Sequence, residues 1–374
     1  MRNTLWFCCI LMACGGNASG PAQDSGTFTD DVQPADSAST DSAFPDGTLS
    51  DAPLPDAGVD EPDGALPDPD GGMLETCGTA GDILVVDRSN DPEQIGLKRF
   101  APDGTALGLF AAQNASGPLH IPLKAVQLKD CQVLVTDIGT LTGAVQIRTF
   151  NADGMDQGQF WVETPSCNPR PLDLFVQDED SLVVGFQSIV TGCGAGASSL
   201  WKFSTSGEIL DTSWNTGEQV ALDYYSGTGF GRLSDGNILA ISNGCNFPPG
   251  GGFCEAWTQV ERFNTDGVWL STFNTLPEWG TALLVRSTGD ILVAYYAGTG
   301  LPYGIRRFSA AGEDLGLWSD LADVTDLVER EDGTILAATD FGGTVEQLGP
   351  DGASLGALIY PPQVSRPHGL LILR

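Results

Sequence analysis

Residues 262–273 read Arg-Phe-Asn-Thr-Asp-Gly-Val-Trp-Leu-Ser-Thr-Phe, and versions of this stretch recur along most of the chain. In each version a hydrophobic residue stands four places before a glycine, an Asp usually precedes that glycine, and a second hydrophobic residue follows six places after it. Asp-Gly supplies the positive φ angles of a two-residue turn, so the pattern predicts a β-hairpin. The six copies, of which the third ends one place late, are Phe100/Gly104/Phe110, Phe150/Gly154/Phe160, Phe203/Gly207/Trp214, Phe263/Gly267/Phe273, Phe308/Gly312/Trp318 and Leu348/Gly352/Leu358.

Two further apolar strands precede most of these hairpins, which gives four short strands in a repeat of about 45 to 55 residues. That combination is typical of a β-propeller, and the count of hairpins predicts an all-β protein with six four-stranded antiparallel blades. The first repeat lacks its leading strand, whereas the chain ends with a spare one at residues 367–373. We therefore expect the C-terminal strand to close the ring as the innermost strand of the first blade, which removes open sheet edges.

The first residues predict export and a lipid anchor. Residues 1–13 hold a short apolar run that is too short to span a bilayer and is typical of a signal peptide. Residues 11–14, Leu-Met-Ala-Cys, resemble the bacterial lipobox, in which the chain is cut before the cysteine and the cysteine is lipidated. This resemblance implies lipidation at Cys14 and, because Gly15 follows, a position at the outer membrane. The alternative is an ordinary secretory signal with a chance cysteine.

Residues 14–75 predict a disordered acidic tether that separates the anchor from a folded domain at residues 76–374. The segment is rich in Asp, Pro, Ala, Gly, Ser and Thr, and residues 15–75 contain 14 acidic residues and no Lys or Arg. Such a composition buries too little apolar area to offset the entropy lost on ordering. As a random coil it would span roughly 40 Å.

The charge of the chain argues against two classes of partner. The formal net charge is −32 for the whole chain and −19 for residues 76–374. An excess of this sign disfavours nucleic acid and anionic membrane surfaces. We expect contact with the membrane only through the lipid anchor, and we expect a monomer.

The repeats resemble those of NHL-repeat and gluconolactonase-like (TolB-like) six-bladed propellers. In that pattern a strand opening with Pro-x-Gly leads to a Gly-Asn-Ile-Tyr-like turn and strand, and then to an Arg-x-Phe-x-x-Asp-Gly hairpin. Here residues 235–239, Asp-Gly-Asn-Ile-Leu, and the pair Arg307-Phe308 match it, and most leading strands lack the Pro-x-Gly opening. The resemblance extends over residues 76–374 and implies the architecture more strongly than any activity.

Six cysteines in the exported domain predict three disulfides. Sorting them by the face of the propeller on which each should lie favours three pairs, Cys77–Cys131, Cys167–Cys193 and Cys245–Cys254. Metal ligation is the competing interpretation, but the chain has no Cys-x-x-Cys pair and only two histidines, neither at ligand spacing from a cysteine.

Loop length indicates where a binding face would lie. The predicted loops between second and third strands are long in blades three to five (residues 187–198, 242–256 and 296–304) and short in blade six (340–343). Function on such scaffolds concentrates in loops, so we place a candidate protein- or glycan-binding face there. The alternative is that these loops only cap the blades. The aromatic candidates are Phe247, Phe253, Trp279, Tyr296 and Tyr303.

Gluconolactonase-like enzymes bind one divalent metal in the channel mouth, so the resemblance also implies an alternative function, a metal-dependent hydrolase. The ligand candidates for that single divalent cation are Asp173, Glu278 and Asp326, among channel-mouth residues that also include His120, Lys124, Arg170, Asp223 and His368. The Asn ligands expected from the resemblance are missing, and no Gly-x-Ser-x-Gly elbow accompanies either histidine. The sequence therefore favours a non-enzymatic cell-envelope lipoprotein without a cofactor, which binds a protein or glycan at the cell surface.

Overall fold

The computed structural model describes residues 80–89, 91, 94–112, 119–138, 145–162, 170–187, 199–212, 225–246, 255–296 and 303–374. Residues 1–79 lie outside this part, so the signal peptide, Cys14, the tether and the domain boundary at residue 76 stay predictions. Within the described residues there is no α-helix, and hence none long and apolar enough to cross a membrane.

The described residues form six four-stranded antiparallel sheets, which confirms the predicted six-bladed β-propeller. Each sheet is one blade. From the innermost strand to the outermost, blade 1 contains β24 (Pro367–Ile372), β1 (Ile83–Asp87), β2 (Gly96–Phe100) and β3 (Ala106–Ala112), and blade 2 contains β4 (Pro122–Gln127), β5 (Val133–Asp137), β6 (Gln146–Phe150) and β7 (Asp156–Val162). In the same order, blade 3 contains β8 (Arg170–Val176), β9 (Ser181–Gln187), β10 (Ser199–Ser204) and β11 (Ile209–Asp211), and blade 4 contains β12 (Tyr225–Arg232), β13 (Ile238–Asn246), β14 (Glu255–Phe263) and β15 (Trp269–Leu276). Blade 5 contains β16 (Trp279–Val285), β17 (Ile291–Tyr296), β18 (Gly304–Phe308) and β19 (Asp314–Ser319), and blade 6 contains β20 (Val324–Glu329), β21 (Ile335–Thr339), β22 (Thr344–Leu348) and β23 (Ser354–Ile359).

The C-terminal strand closes the ring as predicted. β24 pairs antiparallel with β1, so that Leu370 lies opposite Val85 and Ile372 opposite Ile83. The innermost strands then contact one another in order around the channel, with β24 between β20 and β4. The first blade is thus built from both ends of the domain.

The core lies between blades. The central strands β1, β5 and β21 are buried along their whole length, so both of their faces are covered. Each hydrophobic cluster combines residues of neighbouring blades; for example, Leu239 of blade 4 packs with Ile291 of blade 5. Burial on two faces explains why these strands read as continuous runs of Ile, Leu, Val and Ala rather than as alternating patterns.

The predicted two-residue Asp-Gly turn is wrong. In the hairpin of residues 262–273, Gly267 N donates to Asn264 O (3.0 Å) and Asn264 N donates to Val268 O (3.0 Å). Gly267 has a φ of +79°, whereas Asp266 is not among the described non-glycine residues with positive φ. The connection is therefore a type I turn followed by a left-handed glycine. The Asn264 side chain stabilises it, because its Oδ1 accepts from the N–H groups of Asp266 and Val268.

The two recurring features of the hairpin unit meet across the joints between blades. The turn glycine of one blade lies against the carbonyl oxygen of the residue that ends the hairpin of the preceding blade. A Cβ placed on Gly154 would stand 1.8 Å from Phe110 O. The same arrangement recurs for Gly104 on Leu358, Gly207 on Phe160, Gly312 on Phe273 and Gly352 on Trp318. The repeated motif thus specifies the contact between blades as well as the turn.

The loops from second to third strands share one face of the propeller with the crossovers between blades; this face is called the crossover face below. Its loop in blade 4 is shorter than predicted, because β13 continues to Asn246 and β14 begins at Glu255. Strand pairing continues to the end of β13, where Asn246 lies opposite Glu255, so Cys245 lies in a strand rather than in a loop.

Cys131 is disulfide-bonded, and it has a φ of +68° in the turn before β5. Its predicted partner Cys77 lies outside the described residues, as do Cys167, Cys193 and Cys254. All three pairings therefore stay predictions.

Candidate functional site

Three charged side chains come together in the central channel. Lys124 lies on β4, Asp173 on β8 and Asp326 on β20, which are the innermost strands of blades 2, 3 and 6. Asp173 lies opposite Gly185 and Asp326 opposite Ala338, which are equivalent places of the two central strands. The two carboxylates therefore share one level of the ring. Together with Lys124 they are called the channel cluster below.

Asp326 joins three blades through its two carboxylate oxygens. Its Oδ1 accepts from the ammonium of Lys124 in blade 2, and its Oδ2 accepts from Leu370 N of the closing strand at 2.6 Å. The side chain of Asp326 is 4 % exposed and that of Lys124 is 21 % exposed. A buried carboxylate is stable as an ion only when such partners replace the water it has lost.

Asp173 is the less well compensated carboxylate of the cluster. It is buried, and its Oδ1 accepts one hydrogen bond, from Leu174 N at 2.7 Å. Burial raises the pKa of Asp173 to about 7; Lys124 opposes this rise and the charge of Asp326 adds to it. Burial acts to lower the pKa of Lys124, but Asp326 and Asp173 outweigh it and the pKa is raised. Lys124 is therefore charged at neutral pH, and Asp173 keeps its proton to a higher pH than an exposed aspartic acid does.

The structure brings two of the three predicted metal ligands together and separates the third. Asp173 and Asp326 interact with each other and with Lys124. Glu278 is buried in blade 5, where burial raises the pKa of its carboxyl group and its charged neighbours are Arg306 and Asp314. The described part of the chain contains no group of three His, Cys, Asp or Glu side chains placed to hold a metal ion.

These residues do not fit the divalent cation that the resemblance implies. A hard cation requires several oxygen ligands converging on one point. Here the ammonium of Lys124 already binds Asp326 and neutralises charge beside Asp173. A cation that bound Asp326 would therefore have to displace Lys124 or bind beside its positive charge.

The two histidines have local roles. His368 Nδ1 lies 3.2 Å from Leu123 O, to which it donates, and desolvation together with the nearby Arg88 lowers the pKa of His368 to about 3. His120 lies before β4, with its Nδ1 3.7 Å from Asp137 Oδ2, while its backbone N donates to that oxygen at 2.9 Å. Arg170 begins β8. The remaining channel-mouth candidate, Asp223, lies outside the described residues.

Three of the five predicted binding-face aromatics form a row across blade 5. Trp279 lies opposite Tyr296 in the pairing of β16 with β17. Tyr295 lies opposite Gly304, so Tyr296 faces Tyr303 across the next pair of strands. The rings of Tyr296 and Tyr303 are 5.2 Å apart in an edge-to-face contact. Trp279, Tyr296 and Tyr303 are called the aromatic row below. Phe247 and Phe253 lie outside the described residues.

The side chains of the aromatic row point toward blade 6 at the crossover face. Leu292 and Ala294 of β17 pack with Val324 and Leu327 of blade 6. Because side chains alternate along a strand, Tyr296 points to the same side. The facing loop of blade 6 has only four residues, 340–343, between β21 and β22. Tyr303 is 36 % exposed, at the rim of the row.

Phe341 is an exposed aromatic that the sequence analysis missed. It lies in the short loop of blade 6 on the crossover face and is 61 % exposed. Loop length was the signal for the aromatic candidates, and this residue lies in a short loop. The order of the blades would have placed it beside blade 5, because β17 of blade 5 packs against blade 6.

Comparisons with known proteins support the fold. No protein-family model and no curated protein sequence matches this chain. Among solved structures, the nidogen/laminin complex contains a chain with a TM-score of 0.54 and 11 % identity, covering 78 % of this chain and 98 % of that one. A protein of unknown function from Bacteroides caccae has a TM-score of 0.52 and 11 % identity, covering 79 % and 100 %. A gluconolactonase from Xanthomonas campestris has a TM-score of 0.50 and 14 % identity, covering 78 % and 88 %. At these identities the similarity shows the propeller fold alone.

Proposed function

We propose that this chain is a non-enzymatic propeller of the bacterial cell envelope, which binds a protein or glycan at the crossover face of blade 5. In this proposal Cys14 carries a lipid that anchors the chain to the outer membrane. Residues 15–75 then hold the propeller away from the bilayer. The net charge of −19 on residues 76–374 keeps the domain itself off an anionic lipid surface.

The observation that carries the proposal is the aromatic row. Large rings that are partly covered by neighbours but reach the surface provide apolar contact area at a small cost in side-chain entropy. Such residues dominate the binding energy of interfaces when they cluster. The partly buried Trp279 and Tyr296 give the row a fixed base, and Tyr303 provides the exposed end.

A metal-dependent, lactonase-like hydrolase is the rival proposal. One of the solved structures that this chain resembles is a gluconolactonase, which supports the rival at the level of fold. The channel cluster counts against it, because Lys124 binds the carboxylate on which a metal would depend. Glu278, the third ligand candidate, belongs to the charged group of Arg306 and Asp314 instead.

Replacing Tyr303 with Ala should lower the affinity for the ligand at least tenfold, which corresponds to about 1.4 kcal/mol. Full-length chain carrying a fluorescent label would be titrated onto envelope fractions of the producing bacterium. Periodate treatment of the fraction destroys glycans and protease treatment destroys proteins, so the two treatments identify the class of ligand. The proposal expects saturable binding that one of these treatments abolishes.

Tyr360→Ala is the matched control, because Tyr360 is also an exposed tyrosine (56 %) but lies outside the aromatic row, directly after β23 of blade 6. Its replacement should leave the affinity unchanged. Equal affinities for the wild type, the Tyr303 variant and the Tyr360 variant would show that the aromatic row is not the binding site.

A further inference from the structure

Gly369 of the closing strand lets β4 pack closely against β24 beside Lys124. Gly369 belongs to blade 1, which lies between blades 6 and 2 in the ring. A Cβ on Gly369 would stand 2.6 Å from Leu123 O and 3.2 Å from the Cα of Lys124. The absence of a side chain at this place lets the backbone of β4 approach the closing strand at Lys124. The ammonium of Lys124 then reaches the carboxylate of blade 6.

The charges of the channel cluster resemble those of a cation site in which the ammonium of Lys124 replaces the bound cation. Two carboxylates on different blades are both at least 96 % buried, since Asp173 is 4 % exposed and Asp326 is 3 % exposed. One ammonium group compensates them, through a direct hydrogen bond to Asp326 and through its charge near Asp173. A buried carboxylate that lost this ammonium would have to find another cation or a proton.

We propose that the ammonium of Lys124 is a covalent replacement for a divalent cation in the channel, so that the wild-type channel excludes metal ions and removal of Lys124 creates a site for them. The lysine joins blade 2 to blade 6 across the closing strand, which is the structural task of an ion shared between blades. Unlike an ion, it cannot dissociate. Its attraction to Asp326 therefore operates at any concentration of free calcium.

Lys124→Met tests this proposal, because methionine keeps an unbranched side chain of similar length without the charge. The full-length variant should melt about 10 °C below the wild type in EDTA, since it leaves Asp326 buried without its cation. CaCl2 at millimolar concentration should restore several degrees of this loss. The melting temperature of the wild type should be the same in both buffers.

Lys124→Met combined with Asp173→Asn is the matched control, because it removes one of the two carboxylates that would bind calcium. It should show no stabilisation by CaCl2 beyond that of the wild type. Ions held by the acidic residues 15–75 affect all of these chains alike, so they cancel in the comparison. A Lys124→Met chain that folds but gains nothing from calcium would overturn the proposal.

A second measurement uses the wild type and does not depend on whether the variant folds. Crystals of the full-length chain would be soaked in MnCl2 and the anomalous scattering of manganese recorded. The proposal expects no anomalous peak between Asp173 and Asp326. A peak there, within coordination distance of both carboxylates, would overturn it, because a metal would then bind beside Lys124.

Discussion

A chain that lacks residues 369–374 is expected to lose its cooperative thermal unfolding transition. The truncation removes most of β24, the partner of β1, and with it two buried leucines, Leu370 and Leu373, each 2 % exposed. Loss of two such side chains alone costs about 5 to 10 kcal/mol, which is comparable to the total stability of a domain. The truncation also removes the Leu370 N–H, from which Asp326 Oδ2 accepts a hydrogen bond. Differential scanning calorimetry of the full-length and truncated chains measures the effect.

Deletion of Arg374 alone provides the control for this experiment. Arg374 is exposed, and its backbone N donates to Gln127 Oε1 at 2.9 Å. Its loss should leave the melting temperature within about 2 °C of the wild type, since surface changes are usually worth less than ~0.5 kcal/mol. If the chain without residues 369–374 melted cooperatively at the wild-type temperature, closure of the ring by β24 would not be what stabilises the domain.

Gly154→Ala is expected to destabilise the propeller by about 3 to 5 kcal/mol, through a clash in the joint between blades 1 and 2 added to backbone strain. The new Cβ would stand 1.8 Å from Phe110 O and 2.7 Å from the carbonyl carbon of Phe110, so the backbone of one blade must move. The φ of +80° at this position adds strain for any L-residue. Chemical denaturation monitored by tryptophan fluorescence measures the loss.

Gly158→Ala separates the two causes, because Gly158 lies in the same hairpin and also has a positive φ, of +108°. Nothing lies within 4 Å of a Cβ placed there. This variant should lose only the conformational part, about 1 to 2 kcal/mol. Equal losses for the two variants would mean that the turn glycines serve the turn alone and do not hold neighbouring blades together.

The fold could be predicted from the sequence because each repeat encodes the same local structure. A hydrophobic residue at the place of Phe263 and a glycine at the place of Gly267 recur in every hairpin, so a pattern of eleven residues was enough to count six blades. Ring closure followed from a strand missing at one end of the domain and spare at the other. The turn type could not be derived from Asp266-Gly267 alone, because the Asn264 side chain and the left-handed Gly267 together select a type I turn.

The channel cluster could be predicted only in part. Asp173 and Asp326 were candidates because they occupy the leading strands of their repeats. Their interaction with Lys124 was missed, since Lys124 and Asp326 are 202 residues apart and belong to blades that are not adjacent in the chain. The contact depends on ring closure and on the close approach of β4 to Gly369, neither of which is local. Glu278 was expected to join this cluster, but the structure gives it Arg306 and Asp314 as charged neighbours.

The aromatic row shows the opposite case. Trp279, Tyr296 and Tyr303 were selected as residues near a long loop of one blade, and strand pairing within that blade brings them into register. Local sequence therefore predicts groups within a blade better than groups between blades. Phe341 illustrates the difference, because it belongs to blade 6 and its relation to the row depends on the order of blades 5 and 6.

The metal content of the full-length chain tests most directly whether the propeller works without a channel metal. Wild type and an Asp326→Asn variant would be equilibrated with calcium, passed through gel filtration and measured by inductively coupled plasma mass spectrometry. The variant lacks the channel carboxylate but keeps the 14 acidic residues of residues 15–75, which corrects for ions held there. The account predicts the same ion content in both chains. About one ion per chain in the wild type that is lost in the variant would contradict it and favour the metal-dependent hydrolase.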